Sequence, residues 1–203
     1  MIRLLTVTIL AILAGCSEAP NKPEQAKMPE KPPEPVTGKR AFYYAYPQAR
    51  TWAPDVQALQ IKSINLSEVK SQKGKAAAWQ IIFVSPGRGR ARTYTYSVVE
   101  AEGNLHQGVF ALPEENFSGS SGQDLPFVAA ALKVDSDAAY ETAAAKSTDY
   151  LARHQNTPVT FLLEFTRRYP DPAWRVIWGE SVSASDYSVF IDSATGAMLE
   201  KMH

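Results

Sequence analysis

Cysteine is almost absent from this chain: its 203 residues include one, Cys16. A single thiol excludes an intramolecular disulfide and leaves no cysteine cluster for zinc. Histidine is scarce too. His106, His154 and His203 are scattered, and a tight metal site needs several converging ligands, so no metal or other cofactor is expected. Charge of one sign is lacking, with 21 basic residues against 21 acidic. A general nucleic-acid binder carries a basic excess, and none is expected here. There is no Gly-x-Ser-x-Gly elbow and no recognisable Ser-His-Asp arrangement. Ser118, Ser120 and Ser121 sit among glycines, where nothing would hold a base beside them, and Glu114-Glu115 read as solvated. An enzyme is therefore not expected. What remains is an ordinary globular composition, 45% hydrophobic, sufficient for one substantial core or two small ones.

The chain opens with Arg3 and an apolar run from Leu4 to Ala14 that closes on Leu13-Ala14-Gly15-Cys16. A permanent membrane helix takes about 20 residues, so residues 1–15 read as a cleaved targeting segment. The Leu-Ala-Gly-Cys tetrad resembles a bacterial lipobox. That resemblance implies cleavage before Cys16, a diacylglycerol thioether on its sulfur and an acyl chain such as palmitate on the new amine. Several chains make a stable anchor where one binds only marginally, and thiol catalysis is then excluded. Ser17, not Asp, follows; in a Gram-negative cell this implies the outer membrane, facing the periplasm. Residues 16–38 read as the lipidated cysteine and a tether. Pro20, Pro23, Pro29, Pro32, Pro33 and Pro35 alternate there with Lys and Glu, leaving little apolar surface to bury. Such chains extend by about 3.1 Å per residue, a reach of roughly 70 Å.

From Ala173 to His203 the pattern turns to β. Ala173-Trp174-Arg175-Val176-Ile177-Trp178 and Tyr187-Ser188-Val189-Phe190-Ile191-Asp192 are rich in β-branched and aromatic residues, the mark of successive antiparallel strands. Asp192 to Gly196 supplies a side-chain acceptor and a glycine able to finish a turn. An earlier stretch is similar: Ala78-Trp79-Gln80-Ile81-Ile82-Phe83, then Tyr96-Ser97-Val98-Val99, then Gly103. We expect an α+β fold of two repeats, each a helix followed by an antiparallel sheet, over 39–111 and 127–203, with a connector at 112–126. The first repeat is expected to carry a helix kinked or broken at Pro47. Its strands are expected over Val56–Ile64, Ala76–Val84, Arg92–Glu100 and Leu105–Ala111. In the second, Ser136 is the expected N-cap of a helix reaching Arg153 and His154. Strands over Val159–Arg167, Trp174–Glu180, Tyr187–Asp192 and Ala197–Met202 follow.

Asp135-Ser136-Asp137-Ala138-Ala139 opening a helix, then Trp174-Arg175-Val176, then Tyr187 to Asp192 with Thr195-Gly196, resembles the PepSY domain, a small module of secreted and membrane-attached bacterial proteins and protease propeptides. A helix and sheet in tandem is also similar in outline to β-lactamase inhibitor proteins. The resemblance implies a non-catalytic binding or inhibitory module without an active site to carry over. Two surfaces are candidates for a partner. One is the turn carrying Arg88, Arg90 and Arg92, whose guanidinium forks suit carboxylates and phosphates. The other is the aromatic set Trp79, Trp174 and Trp178, on strands apolar on both faces that need cover on both. A helix covers one side, and the other is expected to pack against the sister repeat or to accept a partner. The sequence thus suggests a lipid-anchored envelope protein that binds another envelope protein or peptide, as a peptidase inhibitor or assembly partner. An envelope hydrolase and a structural spacer are the alternatives; an enzyme would show a deep pocket with converging polar groups.

Overall fold

The computed structural model describes residues 32–119 and 124–203; Cys16, the targeting segment, most of the tether and Ser120-Ser121 lie outside them. The first element, β1 (Val36–Thr37), leads directly into α1 (Gly38–Trp52), for which Thr37 is the N-cap and accepts from the Arg40 amide. Pro47 does not break α1. Its ring sits on the exposed face, where water can satisfy the carbonyl that proline leaves without a donor, while Ala45 and Ala49 are buried on the other side.

Four strands follow: β2 (Gln57–Ile64), the short β3 (Lys75–Ala76), β4 (Ala78–Ser85) and β5 (Arg90–Ser97). Next comes β6 (Gly108–Asn116), which carries the chain well into the expected connector. Pairing is the reason. Arg92 lies opposite Glu114, Ala91 opposite Glu115 and Arg90 opposite Asn116, so Glu114-Glu115 belong to a strand and not to a loop. The expected second helix is two helices, α2 (Ser136–Ala145) and α3 (Thr148–Arg153). They part where Ser147 turns inward and shares a 2.9 Å hydrogen bond with the buried Tyr187 hydroxyl. Asp135, not Ser136, is the N-cap of α2. The Ser136 hydroxyl is otherwise engaged, donating to the Gly74 carbonyl and accepting from the Gly38 amide. The chain ends with β7 (Val159–Glu164), β8 (Ala173–Gly179), β9 (Ser185–Asp192) and β10 (Met198–Met202).

The fold is α+β. One antiparallel sheet of eight strands runs in the order β10-β9-β8-β7-β2-β4-β5-β6, and β1 and β3 form a separate two-stranded pair. The strands of residues 57–116 and those of 159–202 do not stack face to face, contrary to expectation. They join edge to edge through a short β2–β7 ladder in which Gln60 to Lys62 meet Glu164 to Leu162. Beyond that ladder, residues 124–127 fill the gap. Phe127 exchanges two 2.8 Å hydrogen bonds with Ala58, and the Leu125 amide donates to the Phe165 carbonyl.

The three α-helices of the described residues lie on one face of the large sheet. Phe42 of α1 meets Phe83, Tyr140 of α2 meets Phe161, and Tyr150 of α3 meets Trp178. Under them Trp79, Ile81, Phe83, Phe161, Leu163, Trp174, Val176 and Trp178 form the core, every one of them at most 1% exposed. Two indoles also fix where the helices begin. Trp79 Nε1–H donates to the carbonyl of Val36, the residue before the α1 cap, and Trp174 Nε1–H donates to that of Val134, the residue before the α2 cap. One detail of the sequence match is four residues out of register: Tyr96 lies opposite Trp79, but Ile191, not Tyr187, lies opposite Trp174. A shift by an even number keeps every side chain on its own face, so alternation alone could not reveal it.

Candidate functional site

The arginine turn is a structural joint. Pro86–Arg88 form a single 3-10 turn, held by Asp55, whose carboxylate accepts from the Ser85 hydroxyl (2.6 Å) and the Gly87 amide (2.7 Å). Those two hydrogen bonds, the serine's foremost, pull the Asp55 pKa below the ordinary carboxylate range. Each arginine already has a protein partner. Arg88 donates to the Trp52 carbonyl and pairs with Glu114 at 3.1 Å, and the same carboxylate accepts from Trp52 Nε1. Arg90 donates to the Asn116 side chain and Arg92 to the Leu112 carbonyl. The cluster thereby ties the end of α1 to β6. The three candidate tryptophans, Trp79, Trp174 and Trp178, are core residues under the helices and do not reach a surface where a partner could touch them. Their strand alternation matches a buried face as well as an exposed one, and only helix placement separates the two.

The other face of the sheet, helix-free among the described residues, has a different chemistry. One row of side chains crosses all eight strands: Glu200, Phe190, Arg175, Leu162, Lys62, Gln80, Thr95 and Phe110. Lys62, Gln80, Arg175 and Glu200 are half-buried, whereas Leu162 is closed off. A cleft of about 460 Å³ opens on this face between the end of β7, the 165–172 loop and strands β8 to β10, lined by Glu164, Arg168, Tyr169, Arg175, Phe190 and Met202 among others.

Its side chains hold one another. Arg175 Nε–H donates to Ser188 Oγ at 3.1 Å, and its guanidinium lies 5.4 Å from the Phe190 ring centroid. Arg168 lies over the same ring at 5.6 Å and pairs with Glu200, which also accepts from the Tyr169 hydroxyl at 2.8 Å. Burial first, and then that hydrogen bond to a carboxylate, push the Tyr169 pKa up to about 12. Burial also raises Glu164, nearby Asp124 raises it further, and Arg175 pulls it down. The cleft thus combines cations, aromatic faces and a carboxyl biased towards its neutral form. The sequence signals for it were Arg167-Arg168-Tyr169 in a proline-flanked loop and Arg175 as the one charge within the apolar strand β8.

Two other clefts flank the body. One of about 620 Å³ lies beside the start of α1, where Tyr44 stacks on Tyr96 at 4.9 Å and Arg40 donates to the Tyr44 hydroxyl. Another of about 680 Å³ lies between residues 65–73 and 155–159. Among the described residues no group of three or more His, Cys, Asp or Glu could hold a metal ion, and no helix is long and apolar enough to cross a membrane.

No family model matches the sequence, and no curated protein matches it. Among solved structures the chain is similar to the crystal structure of a "putative lipoprotein" from Clostridium difficile 630, with 13% identity over 80% of this chain and 91% of that one, at a TM-score of 0.48.

Proposed function

We propose that this chain is a lipid-anchored protein of a bacterial envelope, acylated at Cys16, whose body is a non-catalytic binding module that offers its helix-free sheet face to an envelope protein or peptide. Inhibition of a peptidase and service as an assembly partner both fall within this reading. The observation that carries it is the stack of half-buried Arg175 and exposed Arg168 on the buried Phe190 ring, beside Tyr169, on the helix-free face. Arginine and aromatic side chains dominate binding hot spots, and here they are pre-fixed by Ser188 and Glu200, which lowers the ordering penalty of association. The anchor rests on Leu13-Ala14-Gly15-Cys16.

The body is a tandem of two PepSY-like units. Supporting this reading, α1 precedes β2, β4, β5 and β6 and the pair α2 and α3 precedes β7 to β10, four antiparallel strands of the large sheet each time. Trp79 and Trp174 occupy corresponding places in β4 and β8 and hold corresponding carbonyls. Gly103 and Gly196 both have positive φ, 76° and 77°. In a Gram-negative cell the protein faces the periplasm from the outer membrane.

Two experiments test this. Cys16→Ser should abolish labelling by palmitate and release the protein from membranes; a variant still labelled and membrane-bound removes the anchor. Capture from detergent-solubilised envelope should be lost when Gln80→Glu is placed on the helix-free face and retained when Gln48→Glu is placed on the exposed side of α1. The reverse pattern removes the face.

A further inference from the structure

On the proposed binding face the fold holds one guanidinium by a single edge. Arg175 is anchored through Nε by Ser188 and laid against Phe190, yet among the described residues its two terminal nitrogens have no hydrogen-bond partner. Glu164 is close enough to feel its charge but makes no ion pair with it. A guanidinium held by one edge presents the remaining fork in a fixed orientation, and that fork matches a carboxylate or a phosphate in bidentate fashion.

The surroundings select between the two anions. Glu164 lines the cleft and Glu200 stands beside it. A doubly charged phosphate would be repelled by both. A singly charged carboxylate meets less of that repulsion, and Glu200 is already matched by Arg168. Phe190, the ring of Tyr169 and Met202 seat the aliphatic part of an acidic side chain. A second cation lies along the same row: Lys62 on β2 is two strands from Arg175, with Leu162 between, a spacing of about 10 Å. Acidic residues at i and i+2 of an extended peptide project to one side about 7 Å apart, and the flexible lysine stem spans the difference.

Resting on the binding-module reading above, we propose that the helix-free face receives an extended acidic peptide segment, one carboxylate bound by Arg175 in the cleft and a second, two residues away, by Lys62. Arg175 supplies the geometry and Lys62 a mobile point charge. Selectivity for an acidic over a neutral segment then resides in the Arg175 fork.

The test uses the folded protein without its lipid and three probes: acetyl-Ala-Glu-Ala-Glu-Ala-amide, its Gln-for-Glu counterpart, and inorganic phosphate. Nuclear magnetic resonance titration should show saturable shifts at Arg175 Nε, Phe190 and Lys62 with the acidic peptide, and binding about tenfold weaker or worse for the neutral one. Arg175→Gln should abolish the response. Arg175→Lys, which keeps the charge and loses the fork, should weaken it and guards against a folding defect in the first variant. Equal binding of the neutral peptide, stronger binding of phosphate at the same residues, or no saturable shift with any probe would overturn the proposal. If Arg175→Gln still captures the envelope partner through the helix-free face, the acidic-peptide assignment falls while the binding-module reading stands. Failure of the wild-type protein to capture anything there removes both.

Discussion

Trp79 and Trp174 meet edge to face at the centre of the molecule, with ring centroids 6.3 Å apart and planes inclined by 74°. Each comes from the second residue of its strand, and each indole N–H holds the carbonyl just ahead of a helix cap. Gly38 at the start of α1 fits against both rings. A Cβ there would stand 2.6 Å from Trp174 Cη2 and 3.0 Å from Trp79 Cζ3. Gly38→Ala should therefore destabilise the protein by about 1–3 kcal/mol through overpacking, although alanine is the better helix former. Denaturant unfolding checks this; a variant as stable as wild type would show that the two rings have room to move.

The helix starts are joined by one carboxylate. Asp135 Oδ1 accepts from the Ser136 amide at 2.7 Å and from the Lys39 amide at 2.9 Å, so it serves the first turns of α2 and α1 together. Anions are favoured at helix N-termini, and a lost cap is worth about 1–2 kcal/mol. Asp135→Ala should fall at the upper end of that range or beyond, and Asp135→Asn, which keeps an acceptor oxygen, clearly below it. Equal losses in the two variants would assign the effect to charge alone.

Much of this architecture was legible in the sequence because strand periodicity is a local signal. The positions of β2, β4, β7, β8, β9 and β10 follow from alternation and turn residues, to within two or three residues at their ends. What escaped was set by distant partners. Asp135 is the cap because Ser136 is occupied by Gly74 and Gly38, and the second helix is split because Ser147 reaches Tyr187. The aromatic strands were readable as strands but not as core. From the sequence, Trp79, Trp174 and Trp178 fit a face that packs on the sister repeat or one that takes a partner, because alternation does not say which face a helix will cover. The cleft around Arg175 depends on four strands and a loop, and no short window of sequence contains it.

Glu164 makes stability depend on pH. Burial, and then Asp124, raise its pKa in the folded protein, so the folded state binds more protons than the unfolded one over that range. Stability contributed by the neutral carboxyl is fully present below the ordinary glutamate range and is lost as pH rises through the folded value. Glu164→Gln should thus be more stable than wild type at neutral pH, with the difference vanishing in acid. Melting temperatures measured across that range decide it; a variant less stable than wild type at neutral pH would mean that Glu164 is ionised and usefully paired with Arg175.

The arginine turn should behave as a joint. Arg88 and Glu114 are 43% and 38% exposed, and such pairs contribute about 0–1 kcal/mol. Arg88→Ser alone should change stability by no more than about that amount. Replacing Arg88, Arg90 and Arg92 together should lower stability further, since Arg92 also holds the Leu112 carbonyl of β6, without altering partner capture. Unfolding curves and the capture assay on the same samples separate the two effects, and loss of capture at unchanged stability would restore the turn as a binding site.

Site-specific photo-crosslinking in intact cells tests most directly whether the helix-free face is the working surface. A photoreactive residue placed at Gln80, at the middle of that face, should give a discrete adduct with an envelope protein, and the adduct should diminish when Arg175 is replaced by Gln. The same group placed at Gln48, exposed on α1, should give none. A discrete adduct from Gln48 and none from Gln80 would contradict the account.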